Sequence, residues 1–393
     1  MKSSAFLFFV LALLLRAAPA LALNANELAV IVNTADPASV ETANYYKLKR
    51  GIPDGNVIEV SFPHDRGALS RDEFERVREE VVRRLPAHVR ALALAWTRPW
   101  RAGCMSITSA FAFGYDESFC SASCGPTRAS RLFNGGVGVA DDAVSGMPAM
   151  MLAGESIAQV RALIDRGVAA DFSYPAGTAY LVRTEDAARN VRARNFEHTV
   201  ANLKGLKIET PSTIDASGKQ DVIGYFTGSS HVPQLSSLKF LPGAPADHLT
   251  SFGGQLIDSP QMSILAWLSA GATASYGTVV EPCNHLGKFP FPGVLLGHYA
   301  DGDTLIEAYW KSVAWPGEGV FVGEPLARPY GTRVVRDDKG LWLEASTAMG
   351  RQIVIEAAPG VVGPFRPVRA LTLPPGHTRQ LLPGLNAPVV RVR

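Results

Sequence analysis

The sequence predicts an α/β chain, with parallel sheets flanked by helices and a small β-sandwich after them. Three observations predict it. Short, fully apolar runs alternate with capped, charged helical segments from residue 28 to about residue 322, the rhythm of strand-helix-strand units. After Tyr330 the texture changes to short alternating segments between Gly and Pro turns, the pattern of a sandwich. With 393 residues and 47% hydrophobic content, the chain can bury cores for both.

Leu28-Ala29-Val30-Ile31-Val32 is a continuous apolar run, hence a buried strand. Asp36-Pro37 then starts a helix that runs to Arg50, where Gly51 ends it and Pro53 prevents resumption. Residues 56–62 form the next strand. Ser70 with Glu73 makes a capping box for a charged helix to Leu85, and residues 91–96 are a third strand. Residues 97–147 break the rhythm with Pro99, three cysteines and many small polar residues, and read as a long excursion, a hairpin or cap. Alternation resumes with a helix at 156–166, a strand at 178–183, a helix from Thr184, a strand at 222–226 and a helix at 261–269. A strand at 272–280, a helix from Thr304 to Val313 capped through Glu307, and a strand at 319–322 complete the α/β part. The sandwich takes residues 341–344, 352–356 and 389–392 among its strands. The expected division is 1–22, 23–175, 176–330 and 331–393.

The first 22 residues have the layout of a signal peptide: Lys2, an apolar run over residues 5–15, then Ala20-Leu21-Ala22 as the small-residue cleavage pattern. Cleavage is expected after Ala22. The apolar run is about half the ~20 residues that a spanning helix needs, so no membrane span is expected after cleavage. The chain is therefore read as exported, to periplasm or medium. Cleavage removes Lys2 and Arg16 from the 38 basic residues and leaves 36 of each sign. That balance, without any cluster of Lys and Arg interleaved with aromatics, excludes a nucleic-acid binder. The cysteines number four, an even count that suits disulfides in an exported chain; three connectivities are open, and closeness in sequence favours Cys120 with Cys124, leaving Cys104 for Cys283.

Binding crevices of parallel α/β sheets lie beyond the carboxyl ends of their strands. Three such ends carry chemistry here: 227–231, ending in His231; 247–254, with Asp247, His248 and Ser251; and 281–285, with Glu281, Cys283 and His285. Cys283 with His285, His248 or His231 has the residue types of a thiol nucleophile and its base, while half a structural disulfide is the competing role for Cys283. Asp247, His248, Glu281 and His285 have the types of metal ligands but no diagnostic spacing, so no metal or cofactor is expected.

Several segments together resemble a widespread family of uncharacterised secreted bacterial proteins, and more distantly the gingipain-type cysteine peptidases with a caspase-like fold. They are residues 44–53 (NYYKLKRGIP), 106–114 (SITSAFAFG), 247–254 (DHLTSFGG), 271–279 (GATASYGTV) and 323–326 (GEPL). The resemblance implies caspase-like, Rossmann-like halves meeting near residue 175. It places a catalytic histidine in a Gly-His-Gly turn where this chain reads Gly228-Ser229-Ser230, with His231 two positions late. It places the nucleophilic cysteine within 247–251, where no cysteine occurs, so both positions are substituted. The expected function is a non-catalytic binding module, with a protein or peptide as partner. The alternatives are a peptidase-like hydrolase using Cys283 or Ser251 with His248 or His285, and a structural envelope protein.

Overall fold

The computed structural model describes residues 22–121, 124–135, 146–214, 216–360 and 363–393. The predicted leader lies outside them except for Ala22, as does the stretch 136–145 of the excursion.

Local chemistry sets the first units. In β1 (Leu28–Asn33) all six residues are buried. Asp36 caps α1 (Pro37–Arg50) by accepting from the Ala38 amide, and Gly51, at φ 66°, closes it with its N–H on the Lys47 carbonyl. After β2 (Val57–Val60) the Ser70/Glu73 capping box opens α2 (Arg71–Arg84), which buries Phe74, Val77 and Val81 at helical spacing. Next come β3 (Ala91–Leu94), α3 (Ile107–Phe113), β4 (Ala149–Met151) and α4 (Ile157–Ala170). The excursion thus contains a helix, with Ser106 capping it through the Ser109 amide, and α4 runs a turn further than its sequence signal.

The second run comprises β5 (Thr178–Leu181), α5 (Phe196–Asn202), β6 (Lys207–Glu209), β7 (Val222–Gly228), β8 (Ala246–Leu249) and α6 (Leu265–Ser269). It continues with β9 (Ala274–Thr278), α7 (Pro292–Ala300), α8 (Leu305–Ser312) and β10 (Gly319–Gly323). Two expectations shift here. The helix expected from Thr184 is a turn and a 3₁₀ segment before α5, and the one expected at 261–269 keeps only its last five residues.

The first sheet has the order β2-β1-β3-β4-β10-β9 and the second β6-β5-β7-β8. Pairing is parallel throughout except that β10 runs antiparallel to β9. A parallel bridge between Pro245 and Ala274 joins β8 to β9, so the two sheets meet edge to edge. The apolar side chains of α2, α3 and α6 share one core, and those of α1, α5, α7 and α8 another, so helices cover both faces of the strands. Two three-stranded antiparallel sheets follow. One is β11 (Gly331–Asp337), β12 (Gly340–Thr347) and β15 (Gly376–Leu381); the other is β13 (Arg351–Ala358), β14 (Arg366–Leu373) and β16 (Val389–Val392). Leu341, Leu343, Ile353, Ile355, Leu373 and Val392 fill the core that holds them together. Mixed α/β sheets and a terminal β part are therefore both present, as the sequence predicts. No helix among the described residues is long and apolar enough to cross a membrane.

The cysteines pair as Cys104–Cys120 and Cys124–Cys283, which replaces the pairing expected from sequence. Separation along the chain misled: the segment after Cys120 turns toward β9, with the Ser121 amide donating to the buried Glu318 carboxylate, and this carries Cys124 to the loop after β9. Both pairs have Cα atoms at bridging distance, 6.0 and 5.0 Å.

Candidate functional site

Strand β8 places two ionisable side chains in successive, oppositely facing positions, and all four of its residues are buried. Asp247 meets Arg192, whose Nη1 lies 2.5 Å from Oδ1; the two side chains are 1% and 2% exposed. Arg192 Nη2 also donates to the Thr227 carbonyl at 2.6 Å, which ties the segment before α5 to the end of β7. Burial pushes the Asp247 carboxyl up to about 6 in spite of the guanidinium, and its Oδ2 has no hydrogen-bond partner among the described residues.

His248 faces the other way. Trp267 Nε1 donates to its Nδ1 at 2.9 Å, so Nδ1 is the acceptor and Nε2 carries the proton, which it donates to the Met262 carbonyl at 3.0 Å. Both ring nitrogens are thereby occupied. Burial holds the imidazole down at about 3, well below its ordinary 6.5.

Beyond β8 the chain forms a platform around Ser251. The Thr278 hydroxyl donates to the Thr250 and Ser251 carbonyls at 3.1 and 2.8 Å, and the Gly254 amide donates to the Thr278 carbonyl at 2.9 Å. Gln261 Oε1 accepts from the Thr250 hydroxyl and the Phe252 amide. The platform lies directly on β9, since a Cβ at Gly254 would sit 2.3 Å from the Gly277 carbonyl oxygen. Ser251 is 8% exposed, and its hydroxyl makes no hydrogen bond among the described residues. Gly254→Ala is expected to cost about 2–3 kcal/mol, because backbone rather than a mobile side chain must give way. Urea denaturation checks it, and a loss below about 0.5 kcal/mol would contradict the close packing.

The other candidates are held elsewhere. His231 is exposed in a turn closed by Ser229, whose hydroxyl donates to the His231 carbonyl at 2.5 Å. The Ser230 carbonyl accepts from the Met262 amide at 3.1 Å, so the Met262 backbone touches both the turn after β7 and His248. Cys283 is bonded to Cys124, its backbone at φ 55°, and its amide donates to Glu281. His285 contacts the Cys124 carbonyl through Nε2 and lies edge-on to Trp315. Asp247, His248, Ser251, Cys283 and His285 thus each sit in their own set of contacts. No group of three or more His, Cys, Asp or Glu side chains among the described residues is arranged to hold a metal ion.

Sequence reasoning passed over a different opening. In the first sheet the strand order reverses between β1 and β3, which leaves a crevice beyond their carboxyl ends. A cavity of about 390 Å³ occupies it, lined among others by Asp36, His64, Thr97, Arg98 and Glu155 over an apolar floor that includes Trp96. Ile257, from the loop after the Ser251 platform, closes one side, and Arg98 pairs with Asp258 of the same loop at 3.3 Å. The signal was available in sequence. Asp36 follows the first strand and Thr97 the third, the two positions that flank a switch point.

The fold and these strand ends define an α/β scaffold whose two ionisable groups on β8, Asp247 and His248, are committed to the interior. No family model matches the chain, and no curated protein matches it. Among solved structures, one described as "Structure of Protease" aligns over 91% of this chain and 96% of its own length, at 11% identity and a TM-score of 0.41. At those values the likeness assigns neither family nor activity.

Proposed function

We propose that the chain is an exported, non-catalytic binding module on a gingipain-like α/β scaffold. The observation that carries this reading is the state of His248. A general base needs a free ring nitrogen within reach of the nucleophile, and His248 has none: one nitrogen accepts from Trp267 and the other donates to Met262. The thiol route is closed in the same way, since Cys283 is half of a disulfide. What the molecule offers is the crevice at the ends of β1 and β3, whose volume and mixed lining suit a small ligand or a side chain of a bound protein or peptide.

Ser251 carries the second reading. Its hydroxyl is uncommitted on a braced platform, which is how a serine nucleophile would be displayed. One experiment separates the two. The purified mature chain and its Ser251→Ala variant are given fluorescent casein, a chromogenic ester and a fluorophosphonate probe. No turnover and no labelling of Ser251 are expected. Turnover that disappears in Ser251→Ala would overturn the binding reading and establish a serine hydrolase.

A further inference from the structure

Leu23 is the residue that leader cleavage after Ala22 would make the N-terminus, and chain ends are ordinarily loose. Here Leu23 is 3% exposed within the core that α1, α7 and α8 share. Its backbone nitrogen donates to Oε2 of Glu307, 284 residues away, at 3.2 Å. Glu307 is the capping-box carboxylate of α8 and is itself 2% exposed. The same Oε2 accepts from the Thr304 amide at 2.9 Å and the Thr304 hydroxyl at 2.6 Å.

Glu307 lacks a direct counter-charge. Among the described residues no Lys, Arg or His makes an ion pair with it: Lys311, the nearest cation on its own helix, pairs with Asp303, and so does His298 of α7. Arg328 donates through Nε to the Gly302 carbonyl. Burial and the nearby Asp303 push the Glu307 carboxyl up. A buried carboxylate that receives only neutral donors is a costly arrangement, and one added cation would relieve it.

We propose that Glu307 is the receptor for the new α-ammonium of Leu23, so that leader cleavage after Ala22 supplies the missing cation and locks the mature N-terminus into the α/β core. Before cleavage the nitrogen at this position is an amide, a neutral donor. Hydrolysis of the Ala22–Leu23 peptide bond adds water across it, leaves the carboxylate on Ala22 and frees an amine on Leu23, which takes up a proton near neutral pH. The hydrogen bond to Glu307 then becomes charge-assisted without any change in position. The processed chain is the more stable one, and the gain is confined to a chain that starts at Leu23. This inference is independent of what happens at the ends of the strands.

The test compares two full-length mature chains made from cleavable fusions, one starting at Leu23 and the other at Ala22, together with Glu307→Gln in the Leu23 form. Each is exposed to an acetylating N-hydroxysuccinimide ester near pH 7, folded and then denatured, and the N-terminal peptide is read by mass spectrometry. In the folded state the Leu23 amine should react at least about tenfold more slowly than the Ala22 amine, since one unit of amine pKa is a tenfold change in free base. Both should react equally once denatured. Glu307→Gln should remove the protection, and the Leu23 form should melt about 2 °C or more above the Ala22 form. Equal labelling of the two folded chains would overturn the proposal even if the Gln variant failed to fold. So would an exported protein whose N-terminal peptide begins at a residue other than Leu23.

Discussion

His248→Gln is expected to destabilise the chain at pH 7 and to do so less and less as the pH falls below 6.5. The wild-type imidazole is held at about 3 in the fold, against 6.5 when unfolded. Between those values the unfolded chain binds a proton that the folded chain does not. Stability that is fully present above pH 6.5 is therefore lost on acidification, at about 1.4 kcal/mol per unit and roughly 5 kcal/mol in all. Gln cannot take up that proton, so the gap between variant and wild type closes at low pH. Asp247 slopes the other way. Its folded value is raised to about 6 from an ordinary 3.8, so the folded chain binds the extra proton and stability falls as the pH rises through that window. The two neighbours nearly cancel between about pH 4 and pH 6. Urea denaturation from pH 4 to pH 8 should show opposite slopes for His248→Gln and Asp247→Asn relative to wild type; parallel curves would refute the assignment of buried, neutral His248.

Removing Cys124–Cys283 should cost more than removing Cys104–Cys120. The first closes a separation of 159 residues and the second one of 16. Loop-closure entropy alone gives roughly 5 kcal/mol for the long loop and roughly 3 kcal/mol for the short one. The comparison uses the double alanine variants Cys124→Ala with Cys283→Ala, and Cys104→Ala with Cys120→Ala, unfolded in urea. Peptide mapping without reduction should recover the two cross-linked pairs as described; a peptide joining Cys120 to Cys124 would contradict the connectivity. The long bridge also holds the loop after β9 against the middle of the excursion, so its loss should raise the exchange rate of amides near His285 more than of those near Trp267.

Much of this fold is legible because its signals are local. Asp36-Pro37 and Gly51 bound α1, and Ser70 with Glu73 starts α2, through contacts that span a few residues and need no tertiary partner. Strand β8 is illegible for the opposite reason. Ala-Asp-His-Leu reads as a polar turn, and it is a buried strand only because Arg192 and Trp267, 55 and 19 residues away, satisfy its two ionisable side chains. Helix α7, with Pro292, Gly293 and Gly297, has the composition of a loop and is held as a helix by packing against α5 and α8. Cys283 and His285 are legible as positions after an apolar run, whereas Asp247 and His248 lie inside β8 rather than beyond its end. The protonation and bonding of all four are not legible, because each depends on a partner that sequence order does not reveal.

Strand β10 has a consequence in time as well as in space. It comes last in the α/β part, yet it lies between β4 and β9, and Glu324, just after it, receives the Tyr46 hydroxyl and Arg50 from the end of α1. A chain emerging from its N-terminus therefore exposes the open edges of β4 and β9 until about residue 324 has been made. The first sheet therefore cannot close early, so the nascent chain stays unfinished, and in need of protection from aggregation, for most of its synthesis.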